Sequence, residues 1–372
     1  MPDAAVLEQE KDTVKIVVLG AAGGIGQSLS LLIKSQLYYV VRSNKRIHLA
    51  LYDINRDAIS GVVADMSHID TPITISAHYP DEENKESLKD CLTNASIVLI
   101  PAGVPRKPGM TRDDLFKVNA GIVSQLTDSI IKYCDLKKIF ILLISNPINS
   151  LIPVIMNRFK YNESITKDTN IEKRLFGITT LDSTRGSIFL KDTINNLKLT
   201  SGLQVMEMPH VPVIGGHSGD TIIPVFSQCS AADNLSQDQI SNLINRVQYG
   251  GDEIVLAKKG KGSATLSMAH SSFKMLIKFV DLILGNCNDL TITSFISLKN
   301  LNQDNEIASG GKELMSRINN LNYFAIPAIV TINGIKEIKF KIIDYLNYNE
   351  FNDLLPICLK NLKTNIVTGE SF

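Results

Sequence analysis

The chain has 372 residues, more than a single hydrophobic core usually holds, and this length suggests two packed domains. Hydrophobic residues make up 44% of the chain and charged residues 20%, and 38 Lys and Arg balance 38 Asp and Glu. A chain without net charge lacks the long-range field on which binding to nucleic acid or to an anionic membrane depends. We therefore expect neither as a partner.

The sequence also bears on the cellular compartment. No apolar run approaches the roughly 20 residues that a membrane-spanning helix needs. Residues 1–12 are acidic and contain no Arg, the reverse of a mitochondrial transit peptide, and the final residues, Glu370 to Phe372, are not a Ser-Lys-Leu peroxisomal signal. Five separated cysteines without a CxxC pair favour free thiols and give no metal site. We expect a cytoplasmic protein whose residues 1–12 form a flexible tail.

Residues 13–177 alternate short apolar runs with helical patterns. The expected strands are Val14 to Leu19, Ile47 to Tyr52, Ile73 to Ala77, Ile97 to Pro101 and Ile139 to Ser145. The expected helices include Gly24 to Tyr39, Arg56 to Ile69 and Gly121 to Cys134. Strand and helix in alternation predict an α/β fold, a Rossmann-type doubly wound parallel sheet whose ligands bind at the carboxyl ends of the strands.

Residues 178–372 have a different pattern, which predicts an α+β substrate-binding or catalytic domain. The β-like runs are Val211 to Ile214, Leu290 to Leu298, Phe324 to Ile332 and Glu337 to Ile342. Helices are expected over Asp238 to Lys259, Ser263 to Leu284 and Asn349 to Ile366, the second of them ended by Gly285.

A glycine-rich turn follows the first strand and opens the first helix. It contains Gly20, Ala21, Ala22, Gly23, Gly24, Ile25 and Gly26. Glycines there allow close approach of the backbone to a pyrophosphate, and a helix N-terminus offers free N–H groups to its charge. The GxxGxxG spacing is one residue longer than the strict GxGxxG fingerprint, so an ordinary turn is the alternative. The missing GK[ST] argues against a P-loop.

Asp53 strengthens the dinucleotide interpretation because it directly follows the second strand. A carboxylate at that position bonds the adenosine ribose and repels a 2′-phosphate, which favours NAD over NADP. The alternative is a helix-capping role at the start of the next helix. Arg56 argues mildly in the other direction, since an Arg near this position can accept a 2′-phosphate.

Three further segments carry candidate substrate-binding and catalytic groups. The loop from Pro101 to Arg112 follows a strand, contains Arg106 and Arg112, and has the Pro and Gly content of a closing lid. Asp182 and Arg185 lie three apart on one helix face, where a simple ion pair is the alternative role. Gly215, Gly216 and Gly219 surround His217 and would leave room for a small substrate beside its imidazole, although a lone His is more often structural.

These motifs make the chain resemble the malate dehydrogenases of the lactate/malate dehydrogenase family, and among them the cytosolic type of fungi. The resemblance runs from about Val14 to the C-terminal helix. It rests on the motifs GAAGGIG, PAGVPRKPGMTRDDL, ISNPIN, LDSTR, VPVIGGHSGDTIIP and KGSATLSMAH. It implies an enzyme that transfers a hydride between NAD and malate or oxaloacetate, and that forms a homodimer.

The resemblance also implies roles for residues. His217 would be the general acid/base, Asp182 would orient it and favour its protonated form, and Arg112 would polarise the substrate carbonyl. Arg185 would bind the first carboxylate and Arg106 the second. A lactate-preferring relative has a neutral side chain at position 106, so Arg106 favours malate.

Further positions are implied to line the cofactor site. Asn119, Ile144, Ser145, Asn146 and Met268 would contact NAD, and Asn146 would also bond the substrate. Pro147 and Asn149 are expected to serve the turn. The sequence departs from the family pattern at Ser183 and Thr184, where an apolar pair is common, and the long polar loop from Lys160 to Ile171 receives no role.

Three alternatives remain at this stage. A lactate-type 2-hydroxy-acid dehydrogenase would lack the Arg at position 106. A non-catalytic NAD-binding module would have lost part of the set Arg112, Asp182, Arg185 and His217, which is complete here. A NAD-dependent glycosidase of related architecture would need a metal-binding Cys/His set, which the sequence does not offer.

Overall fold

The computed structural model describes residues 12–81, 86–104, 112–166, 168–198, 207–301 and 305–372, with the backbone alone for Arg112 and Lys198. The strands are β1 Thr13–Leu19, β2 Arg46–Tyr52, β3 Thr74–His78, β4 Ile97–Ile100, β5 Phe140–Leu143, β6 Leu175–Ile178, β7 Val213–Gly215, β8 Ile222–Pro224, β9 Asp289–Ser297, β10 Tyr323–Thr331 and β11 Gly334–Ile338. The helices are α1 Gly24–Val40, α2 Arg56–Met66, α3 Ser87–Leu92, α4 Arg112–Tyr133, α5 Ile148–Lys160, α6 Thr180–Lys198, α7 Gln237–Ala257, α8 Leu266–Leu284, α9 Gly311–Arg317 and α10 Leu355–Glu370.

The first six strands form a parallel sheet in the order β3-β2-β1-β4-β5-β6. β4 and β5 are completely buried and consist of Ile, Val, Leu and Phe, as strands covered by helices on both faces require. The strand order reverses between β1 and β4, and the loops that leave these two strands therefore diverge. A crevice opens at that point, where ligands of doubly wound sheets bind.

The sheet continues beyond β6 without a break. β9 pairs with β6 in the antiparallel sense through Gly177 and Phe295, and the sheet then continues in the order β10, β7, β8. β11 also pairs with β10, in the antiparallel sense, along the C-terminal part of that strand. A Cβ on Gly177 would lie 2.6 Å from Cγ2 of Ile148, so the close contact between β6 and α5 needs a glycine. One large core accordingly contains residues from both halves of the sequence.

A second, smaller core lies between α6, α7 and the β7–β8 hairpin. Leu190, Val211, Phe226 and Val247 are central to it. α8 contacts α1, and a Cβ on Gly24 would lie 3.1 Å from Cγ2 of Thr265, so the second half of the chain reaches the glycine turn of the first half.

The predicted strand from Glu337 to Ile342 is wrong beyond Ile338. β11 ends there, and Phe340–Tyr345 form a 3-10 helix from which Phe340 and Ile342 pack against the core. The apolar residues Phe340 and Ile342, whose alternation suggested a strand, therefore pack against the core from a 3-10 helix. The closing helix begins with a π-helical turn, Glu350–Leu354, where the buried Glu350 carboxylate accepts backbone N–H bonds from Ser227 and Asn347, each 3.0 Å.

Other boundaries also differ from the prediction. The helix expected at Gly121 begins at Arg112, and strand β6 and helix α6 were not separately predicted, although Asp182 and Arg185 were placed on a helix. In the described part of the chain, no helix combines the length and apolar character that crossing a membrane requires.

Candidate active site

The glycine turn between β1 and α1 is held by the end of β2. The N–H groups of Gly20 and Ala21 donate to the Tyr52 carbonyl at 2.9 and 3.0 Å. Gly20 has φ +94°, and a Cβ there would lie 2.5 Å from Cα of Ala102, while one on Gly26 would lie 2.2 Å from the Gly20 carbonyl oxygen. Gly20 and Gly26 are therefore required by the packing of the turn itself.

Asp53 follows β2 and faces this turn. Its Oδ2 accepts the Ala22 N–H at 2.9 Å, and its Oδ1 accepts the Asn55 N–H at 3.0 Å. The cap of α2 is Asn55, whose Oδ1 accepts the Ala58 N–H at 3.1 Å. The helix-capping role considered for Asp53 thus belongs to Asn55, and Asp53 is free to serve the turn and a ligand.

Arg56 contacts Asp81 and Tyr79. Its guanidinium lies 3.7 Å from the carboxylate of Asp81 and 5.2 Å from the ring centroid of Tyr79, and its side chain is 62% exposed. A negative partner already lies beside the group that could have accepted a 2′-phosphate. The arrangement agrees better with NAD than with NADP.

A cavity of about 620 Å³ opens beside the turn, where the strand order reverses. Its lining includes Gly20, Gly23 and Asp53 from the ends of β1 and β2, and Gly103, Val104 and Ile122 from the chain after β4. A glycine-rich turn, a carboxylate and apolar walls in one crevice fit the phosphates, ribose and base of a dinucleotide.

Asn119 and Ser145 support the stems of the loops at this edge. The Ser145 hydroxyl donates to the Ile100 carbonyl at 2.9 Å and contacts that of Ala102. The Asn119 side chain accepts the Val104 N–H at 2.8 Å and donates to the Asn146 carbonyl at 2.7 Å.

The other predicted cofactor residues lie nearby or within the core. The Asn146–Pro147 peptide is cis. Ile144 and Met268 are buried, and Met268 lies in the first turn of α8, the helix that begins beside Gly24. Their contacts with a cofactor remain predictions.

Asp182 and His217 lie in direct contact. Asp182, in the first turn of α6, has a completely buried side chain, and its Oδ2 is 2.5 Å from Nδ1 of His217. Its Oδ1 has no hydrogen-bond partner among the described residues, and Nη1 of Arg185 lies 3.7 Å from it. The carboxylate thus lies between an imidazole and a guanidinium, and its bond to Nδ1 leaves Nε2 of the imidazole for proton transfer.

Arg185 lies against the α7 helix. Its side chain is 11% exposed, and a Cβ on Gly250 would lie 3.1 Å from its Cδ. Burial lowers the pKa of the Arg185 guanidinium, and the carboxylates of Asp182 and Glu253 oppose that change. An Arg stays charged in proteins, so the site keeps a cation suited to a carboxylate. The ion pair between Asp182 and Arg185 that the sequence suggested is present, and His217 bonds to the same Asp182 carboxylate.

Arg106 and the side chain of Arg112 lie outside the described residues, and their roles stay predictions. α4 begins at Arg112, which places the backbone of that residue at the end of the loop that follows β4.

Two domain families together match almost the whole chain. Residues 14–174 match the lactate/malate dehydrogenase NAD binding domain, and residues 179–372 match the lactate/malate dehydrogenase alpha/beta C-terminal domain. The chain belongs to the lactate/malate dehydrogenase family.

Named relatives within this family cover all or nearly all of the chain. The cytoplasmic malate dehydrogenase of Saccharomyces cerevisiae is 52% identical over 378 residues, covering 100% of this chain and 98% of the relative. The mitochondrial malate dehydrogenase of Homo sapiens is 37% identical over 97% of this chain and 92% of its own. The predicted family, the enzyme class and the NAD cofactor are confirmed.

Solved structures show the same lactate/malate dehydrogenase fold at low identity. The apo malate dehydrogenase of Picrophilus torridus superposes with a TM-score of 0.72 at 22% identity over 96% of both chains. The Cryptosporidium parvum lactate dehydrogenase complexed with lactic acid and nicotinamide adenine dinucleotide gives 0.70 at 19% identity over 96% of this chain and 98% of that one. The predicted fold class is confirmed.

Two of the three glycines around His217, Gly215 and Gly216, have a different role from the one predicted. A Cβ on Gly215 would lie 2.2 Å from the Thr221 carbonyl oxygen, and one on Gly216 would lie 2.5 Å from Thr221 Oγ1 and 2.8 Å from Asn149 Nδ2. The space beside these two glycines is filled by protein, so they serve a tight turn and do not open a path for substrate.

Two polar residues of this family site were not recognised from the sequence. Asn149, read as a turn residue, accepts the His217 N–H on its Oδ1 at 2.8 Å. Ser183, noted only as a departure from the family pattern, donates its hydroxyl to the Val211 carbonyl at 2.6 Å and ties α6 to the segment before β7. Only partners distant in sequence reveal either role.

Proposed function

We propose that this chain catalyses the reversible NAD-dependent oxidation of (S)-malate to oxaloacetate, with His217 as the proton acceptor and donor. The observation that carries the proposal is the buried Asp182 carboxylate 2.5 Å from Nδ1 of His217, with Arg185 beside it. A general acid/base and a carboxylate-binding cation held by one buried anion are the groups that a 2-hydroxy acid needs.

The NAD binding domain of the family supports the choice of cofactor, whose nicotinamide accepts or supplies the hydride. Asp53 would bond the adenosine ribose, and the turn from Gly20 to Gly26 would hold the pyrophosphate. Met268 would lie at the nicotinamide end, and further contacts with NAD would come from Asn119, Ile144, Ser145 and Asn146.

The chain's own groups then act on the substrate. Arg185 would bind the C1 carboxylate, Asn146 would bond the substrate, and Arg112 would polarise the carbonyl oxygen of oxaloacetate. The imidazole keeps one nitrogen on Asp182, so proton transfer to that oxygen would use Nε2. The His217 side chain is 8% exposed, and this burial limits competing contact with water.

Arg106 distinguishes malate from lactate in this proposal. It would pair with the second carboxylate of malate, and with pyruvate it would face a methyl group unpaired. Leaving a buried charge unpaired costs about 3–5 kcal/mol, so pyruvate would be excluded. The name of the 52% identical relative, a cytoplasmic malate dehydrogenase, agrees with this choice.

Cellular and assembly properties are part of the proposal. We place the enzyme in the cytoplasm, as the name of the yeast relative says of that protein, and we propose a homodimer. We also retain residues 13–177 as the NAD-binding domain and 178–372 as the substrate-binding domain. Sedimentation of the purified chain tests the dimer directly.

The deciding experiment follows NADH consumption with oxaloacetate and then pyruvate, for the wild type and for Arg106→Gln. The wild type should strongly prefer oxaloacetate, and Arg106→Gln should reduce that preference about 100-fold or more, equivalent to roughly 3 kcal/mol. Arg46→Gln is the control, because Arg46 is exposed at the amino end of β2, away from the ligand edge. Equal use of both keto acids by the wild type would overturn the proposed specificity for malate over lactate.

A further inference from the structure

Asn149 joins three distant segments of the chain with a single side chain. It lies in the first turn of α5, is 1% exposed, and accepts the backbone N–H of His217 on Oδ1 at 2.8 Å. Its Nδ2 donates to Thr221 Oγ1 at 3.2 Å and to Asn365 Oδ1 on α10 at 3.1 Å. The acceptor and both donors of the amide group are thus used inside the protein.

The turn that carries His217 is closed on itself. The Gly216 N–H donates to the Thr221 carbonyl at 2.7 Å, and Thr221 Oγ1 accepts the Ser218 N–H at 3.0 Å and donates to the Ser218 carbonyl at 2.8 Å. These bonds shape the turn internally but do not locate it relative to the rest of the site. The location of its backbone depends on contacts from outside the turn. Asn149 makes one of them, directly to the backbone N–H of His217.

His217 is consequently held from two sides. Asp182, on α6, holds Nδ1 of the ring, and Asn149, on α5, holds the backbone N–H. α5 begins directly after the cis Asn146–Pro147 peptide, whose Asn146 carbonyl is in turn held by Asn119. The proposed substrate contact and the proposed proton donor are therefore connected through one helical turn.

We propose that Asn149 is a positioning residue for the proton-transfer step. Through its bond to the His217 backbone, Asn149 sets the position of the His217 imidazole relative to the Asn146 turn. This inference rests on the proposed function, since it concerns the same site. Asn149 acts through His217 and is not required to touch substrate or cofactor. A misplacement of about 1 Å in such a site costs about 100-fold in rate.

The competing explanation is that Asn149 only packs α5 against α10 through Asn365. Asn157 provides a control for this packing role, because it lies on the same helix and its Nδ2 donates to the Glu370 carbonyl of α10 at 2.8 Å. Asn365→Ala is a second control, since it removes one donor contact of Asn149 and leaves the bond to His217.

The experiment compares Asn149→Ala, Asn149→Asp, Asn157→Ala and Asn365→Ala with the wild type. It measures kcat and KM for oxaloacetate reduction, the primary isotope effect with 4-deuterated NADH, NADH affinity by fluorescence, and hydrogen exchange of the peptide that contains His217. The aspartate variant keeps an acceptor for the His217 N–H.

Asn149→Ala should lower kcat about 100-fold, leave NADH affinity within about twofold, increase the isotope effect and accelerate exchange of the His217 amide. Asn149→Asp should restore amide protection and part of kcat. The two control variants should stay within about threefold of the wild type in kcat.

The proposal is overturned if Asn149→Ala loses no more kcat than Asn157→Ala, or if amide exchange at His217 does not change. If Asn149→Ala does not fold, Asn149→Asp decides. The proposal is overturned if Asn149→Asp protects the His217 amide from exchange but has a much lower kcat than the Asn365→Ala control. A wild type inactive on oxaloacetate would reject the proposed function, whereas the exchange comparison would still test the role of Asn149.

Discussion

Oδ2 of Asp182 lies 2.5 Å from Nδ1 of His217, across 35 positions of sequence. The two residues come from the first turn of α6 and from the turn that follows β7. Because the carboxylate is completely buried, its charge is not screened by water, and the imidazole is its hydrogen-bond partner. The contact fixes which ring nitrogen remains for chemistry.

Asp182→Asn should lower kcat about 100- to 10,000-fold in both reaction directions. An amide has no charge to stabilise the imidazolium, and its N–H can donate to Nδ1 and so favour the wrong tautomer. Steady-state rates with malate and with oxaloacetate check this expectation, together with NADH titration. Asp192→Asn, an exposed change on the same helix, should leave the rates unchanged. A loss below tenfold in the Asp182 variant would contradict the assigned role.

Asp53→Asn should reduce the discrimination between NADH and NADPH by about 10-fold or more. It removes the negative charge that repels a 2′-phosphate and weakens the bond from Ala22 N–H to Oδ2. The measurement is kcat/KM for both cofactors at one concentration of oxaloacetate. Asp57→Asn removes an exposed carboxylate four residues further on, and it should change neither value. Unaltered discrimination in the Asp53 variant would count against ribose binding.

Gly216→Ala should destabilise the protein by about 1–3 kcal/mol, because the added Cβ would meet Thr221 Oγ1 at 2.5 Å and Asn149 Nδ2 at 2.8 Å. It should also lower kcat by displacing the turn that carries His217. Urea unfolding and steady-state kinetics measure the two effects. Gly251→Ala is the control: it lies inside α7 with no atom within 4 Å of the new Cβ, and it should stabilise by about 0.5–1 kcal/mol. Equal stability of both variants would refute the packing argument.

His48 should make the protein less stable in mild acid. Its ring nitrogens lie 2.8 Å from Thr74 Oγ1 and 2.9 Å from Ser76 Oγ, and burial, then Lys15 and His78, lowers its pKa to about 4. The unfolded chain, with a pKa near 6.5, binds the extra proton first, so stability is complete above pH 6.5 and declines toward pH 4.

His48→Gln should therefore flatten the dependence of the unfolding free energy on pH between 6.5 and 4. Urea unfolding at several pH values in that window measures the slope. His270→Gln, a change at an exposed residue of α8, should leave the slope as in the wild type. An identical slope in the His48 variant would show that another group is responsible.

Several features of the fold could be predicted from the sequence because their causes are local. The apolar runs of β4 and β5 are continuous because both faces of each strand are buried, and this shows in the residues themselves. The glycine turn was identified from its place between the first strand and the first helix, and Asp53 from its position directly after the second strand. His217, Asp182 and Arg185 received their roles from motifs shared with a family, and the comparisons confirm that family.

The sequence alone thus determined the doubly wound half, the family and the residues to consider for catalysis. Only the tertiary structure decided that β6 and β9 join both halves in one sheet, that Gly215 and Gly216 serve a tight turn, and that Asn149 holds the backbone of His217. The physical reason is the range of the interactions. Strand and turn preferences act between residues close in sequence, whereas the partner of an amide such as Asn149, 68 positions away, is chosen by how whole elements pack.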